Sequence, residues 1–193
     1  MEYRHYTHIP TEVLLAALIG AEETAARYQG ELRPFFEVNG DASPTELTPL
    51  LAARELMRRW VAEGLKKRGE EFCSPVNVKQ YLQLAFAGQG HESFVVLYLN
   101  TQMQLIEAEE PFRGTLTQTA VYPREIVKRA LHWNAASVIF AHNHPSGEVE
   151  PSQADMQLTA TLTKVLAVID VTVLDHFVVA GSMVASFAER GLL

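Results

Sequence analysis

The sequence predicts an α/β protein: a mixed β-sheet flanked by helices, with a small N-terminal helical segment in front of it. Two observations carry this. Residues 94–99 and 136–141 are short, apolar, β-branched runs of the kind that form buried strands. Stretches with helical apolar spacing separate the strand-like runs, and strands in mixed order with helices between them bury their surface as a sheet covered on both faces.

Taken in order, residues 11–28 read as one helix, with Thr11 as cap and Val13, Leu14, Ala17, Leu18 and Ala21 as its apolar face. Residues 30–49 hold Pro34, Gly40, Pro44 and Pro49 and read as loop, with a helix-start signal at Ser43-Pro44-Thr45-Glu46. The strongest helix here runs over residues 49–65, with Leu51, Leu56 and Val61 interleaved with Arg54, Arg58 and Arg59. Lys66, Lys67 and Arg68 close it where the helix dipole favours cations, and Gly69 ends it. A shorter helix follows over residues 75–86, and Gly88-Gln89-Gly90 forms a hinge. Strands are expected at residues 94–99, 104–108 and 115–122, then a helix opened by Pro123 with Glu125 in its first turn. Beyond the strand at residues 136–141 and the helix after it, further strands are expected at 171–174, 176–179 and 184–187. The domain reading is a helical segment over residues 1–72 and an α/β domain over 73–193.

The chemistry concentrates in Ala141-His142-Asn143-His144-Pro145-Ser146-Gly147, followed by Ser152 and Asp155, the pattern H-x-H-x7-S-x2-D. Side chains two apart on a strand share a face, roughly 6.5–7 Å apart along it. His142 and His144 therefore point the same way and Asn143 points away. Pro145 and Gly147 turn the chain into a helix whose first turn holds Asp155. Ser152-x-x-Asp155 alone is a common capping pattern. Together with two histidines at period two it makes three ligands for one divalent ion, zinc being the natural choice, with a fourth position left for water.

These residues resemble the JAMM (MPN-type) zinc-hydrolase motif in the form carried by RadC-like proteins. The resemblance extends through Phe112-Arg113-Gly114-Thr115, Tyr122-Pro123-Arg124-Glu125 and Leu174-Asp175-His176, covering about residues 75–190 closely. It implies a JAMM/MPN-like, cytidine-deaminase-like sheet and a zinc ion held by His142, His144 and Asp155. It also implies Ser152 bonding near the bound water or oxyanion. The motif's base is a Glu near the start of an early strand, matched here by Glu92. Glu109 and Glu110 are the runner-up pair and Glu125 a third choice. His176 either orients a metal ligand or is a satisfied structural histidine. His5, His8, His91 and His132 show no ligand spacing.

Composition narrows the function classes. The 193 residues are 48% apolar and 20% charged, as in an ordinary globular protein. No apolar run reaches membrane-spanning length, the first residues do not read as a secretory signal, and the cytoplasm is the expected compartment. Cys73 is a lone cysteine, so neither an internal disulfide nor a deaminase C-x-x-C pair is available. Net charge is −7, with 10 Lys+Arg against 12 Asp+Glu up to residue 90 and 6 against 11 after it. That field repels phosphate. RadC-like proteins often carry a helix-hairpin-helix-like segment, and Leu14-Leu15-Ala16 with Ala52-Ala53-Arg54-Glu55-Leu56 resemble its remnants. No glycine-bearing hairpin accompanies them to present amides to a phosphate.

The favoured reading is therefore a zinc-dependent hydrolase of peptide or isopeptide bonds, acting on a peptide or protein substrate of unspecified identity. The other class is a DNA-repair-associated protein that binds or processes nucleic acid. Homo-oligomerisation is left open.

Overall fold

The computed structural model describes residues 10–30, 49–67, 75–113 and 121–193. The chain forms two compact units, residues 1–56 and 57–193. In the first, helix α1 (Thr11–Ile19) is followed directly by α2 (Ala21–Arg27). The single helix expected over residues 11–28 is thus two. Gly20 takes φ +89°, a conformation that ends a helix and suits glycine. Its N–H still closes α1 on the Ala16 carbonyl, while its own carbonyl accepts from Thr24. Leu15 is buried against Ile19 and Tyr28. Helix α3 (Pro49–Lys67) runs across the boundary between the units.

The second unit is built on a five-stranded mixed sheet in the order β2-β1-β3-β4-β5. Its elements are α4 (Pro75–Phe86), β1 (Ser93–Leu99), β2 (Leu105–Arg113), α5 (Pro123–His132), β3 (Ser137–Asn143), α6 (Gln153–Ala167), β4 (Thr172–Ala180) and β5 (Met183–Ser186). Among the described strands only the β3–β4 pair, joined through α6, is parallel. β1 and β3 are buried along their whole length, which is why both read as unbroken apolar runs.

Alternation along these central strands makes two cores. Val95, Leu97, Leu99, Ile139 and Ala141 pack against Val78, Tyr81, Leu82 and Phe86 of α4. Phe94, Val96, Tyr98, Val138 and Phe140 face Ile126 and Ala130 of α5 and Leu162 and Leu166 of α6. The sheet therefore lies between helices on both faces, as expected. His142 continues the α6-facing side of β3 and Asn143 the opposite one.

Two strand boundaries differ from expectation. The strands expected at 171–174 and 176–179 are one strand, β4, which begins at Thr172 and whose register against β3 shifts between Val138 and Ile139 so that Val173 and Asp175 are consecutive partners. The extra residue, Leu174, and the buried Asp175 interrupt the apolar alternation without ending the strand. β2 runs on to Arg113, well past residue 108. The strand expected over 115–122 falls largely on residues 114–120, outside the described residues. So do the loop over 31–48 with its start signal, Arg68, Gly69, Cys73, His5 and His8. Among the described residues no helix is long and apolar enough to cross a membrane.

Candidate metal centre

β3 delivers His142 at the sheet's carboxyl edge, and the chain leaves with His144 N–H still donating to Val179 of β4. A tight turn follows, closed by Gly147 N–H on the His144 carbonyl, with Gly147 at φ +85°. This positive φ is where the motif needs its glycine. Ser152 then caps α6 in a reciprocal box. Its Oγ accepts from Asp155 N–H (3.1 Å), and its N–H donates to Asp155 Oδ2 (2.7 Å). The Ser152 hydroxyl proton also goes to Asp155 Oδ2, at 2.7 Å. The cap thus aims the carboxylate at the histidines.

The three expected ligands meet. His142 Nε2 and His144 Nε2 are 2.9 Å apart, and Asp155 lies 3.3 Å from the first through Oδ1 and 3.6 Å from the second through Oδ2. This group could hold a metal ion. Burial of Asp155 raises its carboxyl pKa, but the His142 and His144 rings beside it outweigh that and hold it far below the usual carboxylate range. The Asp155 bond in turn raises His144 above an ordinary histidine, against its partial burial. His144 Nδ1 sits 2.6 Å from the Glu148 carbonyl oxygen. A carbonyl only accepts, so Nδ1 carries a proton and Nε2 is the nitrogen turned toward His142 and Asp155.

The centre opens into a cleft of about 590 Å³, lined by Phe94, Val121, Pro145, Ala154 and Leu158 and by the carboxylates Glu92, Glu148 and Glu150. Ser152 also lines it. The other candidate bases lie elsewhere. Glu109 pairs with Arg129 at 3.3 Å, Glu110 accepts from Ser93 Oγ at 2.7 Å, and the exposed Glu125 pairs with Lys128 at 2.8 Å. The Lys128 bond pulls the Glu125 carboxyl below its ordinary pKa.

Behind the centre, His176 is fully buried with its Nε2 2.8 Å from His142 Nδ1. Its Nδ1 is 2.6 Å from Thr159 Oγ1. Desolvation keeps His176 well below the normal histidine pKa. Sequence reasoning passed over Thr159, although its place one helical turn after Asp155 puts it on the same face of α6. It also passed over the work of the Asn143 amide, which bonds to both Ser93 N–H and the His91 carbonyl.

Comparison with known proteins agrees with this architecture. The family model described as RadC-like JAB domain matches residues 72–192. The UPF0758 protein of Herminiimonas arsenicoxydans is 55% identical over 166 residues, which are 86% of this chain and 73% of that one. The UPF0758 protein of Variovorax paradoxus (strain S110) is 52% identical over 176 residues, 91% of this chain and 75% of that one. The UPF0758 protein of Janthinobacterium sp. (strain Marseille) is 54% identical over 168 residues, 87% and 74% of the two chains. With a domain match of that extent and relatives this similar, the chain belongs to the RadC-like JAB-domain family.

Proposed function

We propose that the chain is a zinc-dependent hydrolase that cleaves an amide bond, of peptide or isopeptide type, in a peptide or protein. The donor set fits the ion. Tetrahedral bonds of about 2.0–2.1 Å to nitrogen and oxygen put ligand atoms about 3.3–3.4 Å apart. The separations are 2.9 Å between the two Nε2 atoms, 3.3 Å from His142 to Asp155 Oδ1 and 3.6 Å from His144 to Asp155 Oδ2, all near that value. A zinc ion held there supplies Lewis acidity, lowering the pKa of water and polarising a carbonyl.

The observation that carries the reading is the place of Glu92. Of Glu92, Glu109, Glu110 and Glu125, it is Glu92 that lines the cleft with the three donors, while the others are engaged on other surfaces. In this mechanism Glu92 takes the proton from the attacking water and returns it to the leaving amine. Ser152 Oγ turns its proton from Asp155 Oδ2 toward the developing oxyanion, a rotation about one bond. Phe94, Val121 and Leu158 give the cleft an apolar wall against which a scissile group can lie. The carboxylates of Glu92 and Glu148 in the cleft disfavour a phosphate backbone, while that of Glu150 pairs with Arg190 at 2.6 Å, and this counts against the nucleic-acid reading.

The test is a screen of zinc-loaded protein against peptide, isopeptide and nucleic-acid substrates, run beside Glu92→Gln. Amide cleavage by the wild type is expected, with turnover reduced roughly 10²–10⁴-fold in Glu92→Gln while zinc stays bound. Cleavage of nucleic acid alone, or full turnover in Glu92→Gln, overturns the reading.

A further inference from the structure

The hydrogen bonds behind His142 settle which ring nitrogen carries its proton. Thr159 Oγ1 lies 2.6 Å from the Asp155 carbonyl oxygen and 2.6 Å from His176 Nδ1. A hydroxyl has one proton, and a carbonyl oxygen can only accept. The Thr159 proton therefore goes to Asp155 O, and Thr159 Oγ1 accepts from His176 Nδ1–H. A neutral His176 protonated at Nδ1 has a bare Nε2. The proton in the 2.8 Å contact between the rings then belongs to His142 Nδ1. His142 Nε2 is left with its lone pair toward His144 and Asp155.

The opposite order fails on two counts. It sets two oxygen lone pairs against each other at 2.6 Å, and it protonates the His142 nitrogen that an ion would need as its ligand. The ring of His176 has little freedom to evade this. Its centroid lies 5.6 Å from Phe94, 5.9 Å from Phe140 and 4.7 Å from Phe187, and it has no solvent exposure. A second proton there would place a charge in an aromatic cage.

We propose that Thr159 and His176 are positioning residues of the metal centre, fixing His142 in the Nδ1–H tautomer so that Nε2 is ready to ligate. The proposal rests on His142 being a metal ligand. The relay begins at the backbone carbonyl of Asp155 and ends on the ring of His142, so it ties helix α6 to strand β3 through β4. Metal-bound histidines commonly donate to a carboxylate, a carbonyl or water. Here His144 follows that habit with Glu148 O, while His142 donates to a neutral ring and carries no extra negative charge to the ion.

The experiment is nitrogen-detected NMR of the histidine rings in the metal-free full chain, together with zinc titration. Wild-type His142 and His176 should both be Nδ1–H tautomers. Thr159→Val keeps the side-chain shape but removes the acceptor. It should let His176 populate Nε2–H, push His142 toward Nε2–H, and weaken zinc binding about 10–100-fold. Thr159→Ser should restore both. An Nε2–H tautomer at wild-type His142, or Thr159→Val with unchanged tautomers and zinc affinity, overturns the proposal. A wild type that takes up no zinc defeats the reading of the centre and the ligand-positioning role with it. The tautomer assignment is then judged by the spectrum alone.

Discussion

Asn143 brackets Glu92. Its Oδ1 accepts from Ser93 N–H at 2.8 Å and its Nδ2 donates to the His91 carbonyl at 2.9 Å, so one side chain grips the backbone on both sides of the carboxylate. Because Asn143, the last residue of β3, stands between His142 and His144, the short segment that presents the imidazoles also holds the backbone around the proposed base. The residue that points away from the centre thus supports it from the other face of the sheet.

Asn143→Ala is expected to leave both backbone groups without their partner, at a cost of about 1–3 kcal/mol for buried polar groups. Zinc binding should survive, since His142 and His144 keep their strand, while turnover falls as Glu92 loses its anchor. Thermal denaturation, metal analysis and rates on the same preparation check this. Unchanged turnover with a lowered melting temperature would reduce Asn143 to a purely structural role.

Metal content gives the most direct check on the ligand set. Wild-type protein should hold about one zinc per chain, and His142→Ala or Asp155→Ala should abolish this. Free zinc at 100 times its dissociation constant should stabilise the fold by about 2.7 kcal/mol, and a chelator should remove that increment. Elemental analysis that finds a full complement of zinc in both variants would remove the centre from those residues.

The parts of this site that the sequence made legible are those governed by local rules. β3 is buried on both faces, so its run of apolar residues stands out, and H-x-H at its end needs only the period of a strand. Ser152 and Asp155 announce themselves through a four-residue cap. What was not legible depends on distant partners. Asp175 looks like a strand break until Ser186 Oγ, Ala188 N–H and its neighbour His176 N–H are seen to satisfy its carboxylate within one continuous β4. Thr159 and His176 stand on separate elements and meet only when α6 packs on the sheet. At Gly20 the difficulty is different: a glycine in a helical pattern continues or ends it according to a φ angle that the pattern does not contain.

Nucleic-acid binding is expected to be weak. Net charge is −7, and the cationic residues of α3 include Arg58, whose Nη1 donates to Tyr81 Oη at 3.2 Å. Contact through Arg54, Arg58, Arg59 and Lys66–Arg68 should give dissociation constants no tighter than about 10⁻⁶ M at physiological salt, weakening steeply as salt rises. A titration showing nanomolar, sequence-specific binding under those conditions would reverse the ranking of the two function classes.

Ser152 has two duties in this account, and a pair of substitutions separates them. As the cap of α6 it holds Asp155; as the proposed oxyanion donor it acts on substrate. Ser152→Ala loses the cap, at about 1 kcal/mol, whereas Ser152→Gly costs only a few tenths because glycine is itself tolerated at that position. Both lose the hydroxyl. If Ser152 serves only as a cap, turnover at saturating zinc should follow stability, with the glycine variant close to wild type. If its hydroxyl meets the oxyanion, both variants should lose turnover alike, by about 10²–10³-fold for a lost donor of this kind, whatever their melting temperatures. The second pattern is expected, because Ser152 lines the cleft and its hydroxyl proton goes to Asp155 Oδ2, an oxygen whose charge a bound ion would share. Zinc affinity should fall modestly in both, since Asp155 loses the hydroxyl that helps to aim it. Equal turnover in wild type and Ser152→Gly would assign the residue to the cap alone.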